Sequence, residues 1–240
     1  MKIIIIGMGN VATNLSAAFA RKGIQAPMVS SREGLEDIDQ NADVYFYCVT
    51  DSAIAEVAAK VHVQPRALHL HTSGTVPLSV FGEDKKHCGV FYIFQTLSKE
   101  RLIEDFSKVP IFLIANGIDD TTAIYALAQN LSSHIYEVSR KDLDRLHVAG
   151  VFANNFSNLM YRFAAEILQG TAIPFEALLP IIDETAAKVH SLMPQEAQTG
   201  PAIRGDKEVM EQHMHLLPHD EMRALYKQLS EYINSQLDWQ

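Results

Sequence analysis

The stretch Lys2–Gly23, KIIIIGMGNVATNLSAAFARKG, decides how the rest of the chain is read. Ile3–Ile6 are β-branched and apolar at every position, the pattern of a strand buried on both faces. A glycine-rich turn follows, and then Leu15, Ala18 and Phe19 at helical spacing, with Gly23 placed as the C-cap. Strand, turn and helix thus succeed one another around Gly7-x-Gly9-x-x-Ala12. In that context the pattern is the phosphate-binding fingerprint of a dinucleotide fold. Gly7 permits the tight turn, Gly9 lets the backbone approach a pyrophosphate, and Ala12 lets helix and strand pack closely. The helix N-terminus faces the anion. Gly7, Met8, Gly9, Asn10, Val11 and Ala12 are therefore the candidate cofactor turn; the competing reading is a purely structural one.

Outward from this unit the pattern repeats. The second strand, in APMVSS, ends at Ser30-Ser31-Arg32, where the adenosine ribose of a dinucleotide sits. A site for NAD usually places Asp or Glu there. Two hydroxyls and a guanidinium suit a 2′-phosphate, which Arg binds through a fork of charge-assisted hydrogen bonds. This favours NADP, with Glu33, one residue on, as the competitor. ADVYFYCVTDS predicts a third strand running into Val49 and Thr50, then a helix over about 53–60. RALHLHTSGTVP predicts a strand ending at His71-Thr72-Ser73-Gly74. CGVFYIFQTLS, VPIFLIANG and SHIYEVS predict three more strands, with a helix over about 120–131. Such alternation argues for an α/β, Rossmann-type, mainly parallel sheet with helices on both faces. Ligands in these sheets lie beyond the carboxyl ends of the strands. Ser73 is thereby a candidate for cofactor or substrate, and Gly74 and Gln95 are candidates for substrate. Each has a structural alternative, and His71 reads equally well as structural.

Composition bounds the function. The chain has 240 residues, 48% hydrophobic and 20% charged, enough for a sizeable core. Its net charge of -9 argues against nucleic acid or an anionic membrane as the main partner. The N-terminal apolar run, Ile3–Ile6 before Gly7, is too short for a signal peptide or a membrane span. Two cysteines, Cys48 and Cys88, make no disulfide framework, and a reduced, cytoplasmic setting is expected. His213 and His215 lie two apart on a helix and so on different faces, with no third ligand, so no metal site is expected.

After Ser139 the strand pattern stops. The expected domains are 1–139, which holds the cofactor, and 140–240, which is helical and serves substrate binding and dimerisation. Ser139-x-x-Asp142 opens a helix expected to continue to Gly170. Further helices are expected over about 175–193, with Pro180 as a kink or late start, and over 206–217 and 220–237. The loop EAQTGPAIRGD lies among them. Within the long helix, RLHVAGVFANNFSNLMYRF shows two unlike faces. Phe152, Phe156, Leu159, Met160 and Phe163 form an apparent core stripe. The opposite face carries His147, Val151, Asn154 and Asn158, with Asn155 at its margin. Asn is a mediocre helix former, so this face asks for a reason beyond solvation.

LHVAGVFANNFSNLMYRFA, LLPIIDETAAK and QTGPAIRGDKEVMEQHMHLL carry a resemblance over nearly the full chain. The sequence resembles a family of two-domain proteins with an NADP-oxidoreductase-like Rossmann domain and a C-terminal helical domain of unknown function. Its helical half is similar in kind to those of 6-phosphogluconate dehydrogenase, pyrroline-5-carboxylate reductase and ketopantoate reductase. The resemblance implies hydride transfer with NADP to or from a small carbonyl, imine or hydroxy acid, a cleft between the domains, and homodimers formed through the helical domain. It does not name a substrate. β-Hydroxyacid dehydrogenases of that superfamily carry Lys-x-x-Asn-Asn on the long helix. The matching residues here are Val151-Phe152-Ala153-Asn154-Asn155, so the lysine mechanism does not transfer. FYIFQTLS also departs from the family, which often has Pro where this chain has Ile93. His147 lies one helical turn before Val151, and histidine as a residue type can give or take a proton near neutrality. His147 and Asn154 are thus the catalytic candidates, and Asn155, Asn158, Thr199 and Arg204 join the substrate candidates. The alternatives are buried hydrogen bonds between helices, an Arg204–Asp206 tie with Asp206 as a helix cap, and a non-catalytic NADP(H)-binding sensor.

Overall fold

The computed structural model describes residues 1–235. Its centre is β1 (Ile3–Ile6), whose side chains alternate between two cores. Ile3 and Ile5 pack with Ala12, Leu15 and Phe19 of α1 (Asn10–Arg21), whereas Ile4 and Ile6 pack with Tyr45, Tyr47, Ile54 and Val57. An uninterrupted isoleucine run is stable here because each isoleucine is removed from water on one face or the other, at about 1.5–3 kcal/mol apiece. Gly23, at φ 73°, ends α1 in the left-handed conformation expected of a C-cap.

The remaining strands are β2 (Met28–Val29), β3 (Val44–Tyr47), β4 (Leu68–His71), β5 (Cys88–Ile93), β6 (Ile111–Ala115) and β7 (Ile135–Glu137). They form one sheet in the order β2-β1-β3-β4-β5-β6-β7, parallel except for β5 against β6. The expected Rossmann-type α/β architecture is therefore present. β2 is shorter than the sequence predicts, being an edge strand that begins after Pro27, whose ring removes a ladder donor. Because the chain leaves β1 towards β2 on one side and β3 lies on the other, the switch point of the topology falls at the end of β1. α1 and α3 (Ile118–Gln129) contribute to one core, and α2 (Ile54–Lys60) contributes to the other.

Ser139 caps α4 (Arg140–Gly150) by accepting the N–H of Asp142, as its spacing predicts. The helix does not run on as α to Gly170. Residues Val151–Phe156 form a π turn, and α5 (Ser157–Ile167) follows. A wider i→i+5 turn breaks the 3.6-residue period, on which the alignment of His147 with Asn154 was expected to rest. The chain separates into two compact units, Met1–Asn154 and Asn155–Gln240. The helix expected to open the second domain thus gives its first three turns to the first unit, where Leu143 is fully buried.

The second unit contains α5, α6 (Leu179–Lys188), α7 (Pro194–Ala197), α8 (Pro201–Arg204), α9 (Lys207–Leu216) and α10 (Asp220–Ser235). Pro180 stands in the first turn of α6, the late start rather than a kink. The loop from Glu196 to Asp206 encloses the short α8, and the end of the expected last helix lies outside the described residues. The expected core stripe is not buried: Phe152 is 65% exposed and Phe156 45%. Among the described residues of this unit only Ala202, Leu217 and Met222 are buried, so its helices have little core of their own.

Candidate functional site

The turn after β1 is shaped by two glycines. Gly7 has φ 132°, and a Cβ on it would collide with the carbonyl oxygen of Cys48 at the end of β3. Gly9 precedes α1 in extended conformation, and a Cβ there would meet nothing within 4 Å. The space it leaves opens onto a groove of about 920 Å³, within the size range of ligand sites. No side chain caps α1, so the first-turn N–H groups of Asn10, Val11 and Ala12 remain for an anion. Ala12 is fully buried and does not line the groove; it lets the helix approach the strand.

Gly7, Met8, Gly9, Asn10 and Val11 line this groove together with Ser30, Ser31, Arg32, Val49 and Thr50. The structure thus brings the candidate cofactor residues together, apart from Ala12 and Ser73. Arg32 is exposed, and its backbone N–H donates to Ser30 Oγ at 3.2 Å. Glu33 is not among the lining residues. Sequence reasoning missed Glu56 and Lys60, which also line the groove and pair with each other at 2.6 Å. Ala53, Glu56, Val57 and Lys60 recur at i, i+3, i+4 and i+7, the one signal that could have found this helix face. Cys48 and Thr72 complete the floor. Burial pushes the Cys48 thiol up to about 12, so it stays protonated.

Beyond the ends of β3, β4 and β5 a second cluster gathers. The side chain of Arg140, in the first turn of α4, donates to the carbonyl of Gly74 and, at 3.1 Å, to that of Val76. Two turns further along α4, His147 meets Tyr92 of β5, whose hydroxyl lies 3.1 Å from Nδ1. Thr75 donates to Asp51 Oδ2 at 2.6 Å. Burial first, then the charge of Asp51, raises the Tyr92 phenol above its ordinary value. His71 is fully buried; its Nδ1 accepts the N–H of Ser73 at 3.3 Å, and Nε2 has no partner among the described residues. Burial, reinforced by Arg140, holds His71 down to about 4, so it is neutral near pH 7. His71 is thus a buried, neutral side chain at the end of β4.

The other candidates fall as follows. The Ser73 hydroxyl accepts the N–H groups of Thr75 and Val76 at 3.1 and 3.2 Å, closing a turn. Gly74 lies beneath the His147–Tyr92 contact: a Cβ there would sit 2.7 Å from His147 Nδ1 and 3.0 Å from the Tyr92 ring. Gln95 is exposed, accepts the N–H of Thr96 at 2.8 Å, and lines a separate hollow of about 710 Å³. Its loop is tied to α1 by the buried Asn14, which donates to Ser98 O at 2.9 Å and accepts from Ile103 N at 3.0 Å. Asn154 is exposed in the π turn that ends the first unit, and Asn155 and Asn158 are exposed in the second. Thr199 and Arg204 also belong to the second unit, and Arg204 Nε donates to Asp206 at 2.9 Å. Asp206 makes no side-chain cap to α9, because its carboxylate is turned to Arg204. His213 contacts Tyr226 at 2.9 Å. No group of three His, Cys, Asp or Glu among the described residues could hold a metal ion, and no described helix is long and apolar enough to cross a membrane.

Residues 109–233 match the family model of a domain of unknown function, DUF2520. Among curated proteins, no sequence matches the chain. Among solved structures, a provisionally named NADP oxidoreductase of Bacteroides fragilis is 38% identical, over 97% of each chain, with a TM-score of 0.90. An imine reductase of Myxococcus stipitatus in complex with NADP+ is 14% identical over 98% of this chain and 92% of that one, with a TM-score of 0.58. A pyrroline carboxylate reductase of Plasmodium falciparum with NADP bound is 11% identical over 98% and 96%, with a TM-score of 0.61. Identities as low as the last two establish the fold alone. The chain therefore belongs to the DUF2520 family, with a Rossmann-type sheet that carries the glycine-rich turn near its N-terminus.

Proposed function

We propose that this protein is an NADP(H)-dependent oxidoreductase acting on a small carbonyl, imine or hydroxy acid, with His147 as its proton-transfer residue. The observation that carries the reading is one of placement. Val49, Thr50 and Thr72 line the dinucleotide-sized groove, and the residues next to them in the chain, Asp51 and Ser73–Thr75, belong to the cluster around His147. A nicotinamide bound beyond these strand ends supplies or receives the hydride.

The chain's own residues have separable tasks. The open face of Gly9 and the uncapped start of α1 hold the pyrophosphate. Arg32 takes the 2′-phosphate, and no carboxylate at the end of β2 competes for the ribose. His147 gives a proton to the substrate heteroatom in the reducing direction and takes it back in the other. The 38% identical relative, named as an NADP oxidoreductase, supports the cofactor. We further assign the helical half to self-association as a homodimer, which would cover its exposed apolar side chains.

A second reading is favoured by Val151, which stands where related dehydrogenases carry a catalytic lysine. On that reading the protein binds NADP(H) as a sensor and turns nothing over. NADPH absorbance, followed against a panel of carbonyl and imine metabolites, separates the two. Turnover that falls about 10²–10⁴-fold in His147→Gln with NADPH affinity unchanged supports the enzyme. Tight NADPH binding without turnover across the panel supports the sensor.

A further inference from the structure

We propose that Tyr92 is the positioning residue for His147. Its hydroxyl holds Nδ1, so that Nε2 is the atom presented to the substrate, and it serves the ring in both protonation states. The inference rests on the reading of His147 as the proton-transfer residue.

Three features of the first unit converge on this contact. The phenol oxygen is 3.1 Å from Nδ1, with the ring centroids 6.0 Å apart. Gly74 is the only residue type that leaves room for it, since a Cβ would press on both His147 Nδ1 and the Tyr92 ring. The helix that carries His147 is seated on the same strand end by a second glycine: a Cβ on Gly150 would lie 2.7 Å from the ring of Phe94. Leu143, fully buried, and Arg140, bonded to the carbonyls of Gly74 and Val76, fix the earlier turns of the helix. Two glycines, at 74 and 150, thus let α4 approach closely enough for a tyrosine to meet a histidine.

A hydroxyl suits this position for a chemical reason. When the imidazole is neutral, its Nδ1–H donates to the phenol oxygen and Nε2 is bare, free to take a proton. When the imidazole is protonated, the same Nδ1–H bond to the phenol oxygen is kept and Nε2–H faces the substrate. A carboxylate could only accept and would bias the ring towards its charged form; phenylalanine could do neither. The covalent step given to the pair is the proton's alone. The imidazolium releases the Nε2 proton to the substrate heteroatom, its Nδ1–H stays on the phenol oxygen, and solvent restores the proton. The raised Tyr92 keeps the phenol a neutral partner throughout.

The test uses the full chain with ring-¹⁵N histidine, observed by NMR at a pH where imidazole is neutral. In the wild type, His147 is expected as one tautomer, with the proton on Nδ1 and Nε2 bare. Tyr92→Phe removes one oxygen and keeps the ring, and should give a mixture of tautomers. Gly74→Ala should do the same with Tyr92 intact, by forcing the rings apart. On the panel substrate turned over fastest, Tyr92→Phe should lower kcat on the order of tenfold, one hydrogen bond's worth, with KM and NADPH affinity unchanged. An identical tautomer population in wild type and Tyr92→Phe overturns the proposal, as does an unchanged kcat where His147→Gln is inactive. Wild-type turnover by His147→Gln overturns instead the catalytic reading of His147, and leaves the tautomer result standing.

Discussion

Gly7 and Gly9 are two residues apart and answer to different constraints. Gly7 is demanded by the protein itself, through its positive φ and the Cys48 carbonyl; Gly9 faces open space. Gly7→Ala should therefore destabilise the fold by about 3 kcal/mol or more, from strain and overlap together. Gly9→Ala should cost about 1 kcal/mol or less in stability and weaken NADPH at least tenfold. Thermal melts with and without NADPH would show the two losses in different columns of the same experiment. Arg32→Ala should weaken NADPH far more than NADH, since only NADPH carries a 2′-phosphate for the guanidinium to bind. Equal losses for both cofactors in a fluorescence titration would remove Arg32 from the 2′-phosphate. Two buried histidines set the acid limit. Burial lowers His71 to about 4 and His69 to about 3, below the ordinary 6.5 of the unfolded chain. Between these values the unfolded chain binds more protons, so stability is full above pH 6.5 and falls as the pH drops towards 4. The slope approaches about 1.4 kcal/mol per pH unit for each histidine. Urea midpoints that stay level from pH 6.5 to 4.5 would contradict it.

At the scale of elements, the αβ unit at the N-terminus and the start of α4 were legible because their signals are local. A strand, a turn and a helix N-terminus occupy consecutive residues, and so do Ser139 and the Asp142 N–H that it caps. Ser139→Ala should cost about 1 kcal/mol in chemical denaturation, the usual worth of an N-cap. Signals that join distant segments were not legible. Tyr92, Asp51, Arg140 and Asn14 matter through partners 24 to 89 residues away in the chain, and no spacing rule reaches that far. The long helix shows a third case. Its apolar period was readable, but the π turn at Val151–Phe156 was not, because a period estimated over a whole helix averages out one wide turn.

At the scale of the molecule, the two units are built differently. The sheet has two dense cores, whereas the helical unit leaves Ile181, Leu216, Met193 and Tyr232 among its exposed side chains. Large apolar side chains left exposed in such number support the self-association proposed above. We expect a homodimer burying more than roughly 2,000 Å²; sedimentation as a monomer at micromolar concentration would refute it. Fold class and the cofactor turn followed from residue order, because hydrophobic period and glycine placement act within a few residues of chain. Whether an apolar stripe becomes core, which histidine is neutral ballast and which meets a tyrosine, depends on what other segments bring to the same place. His71 and His147 are the same residue type, and each directly follows a leucine in the chain. One is sealed beneath Phe81 at the end of β4, and the other rests on Tyr92 over a glycine. Burial and partners are properties of the packed chain, and desolvation and hydrogen bonding, which set a side chain's chemistry, come into being with them.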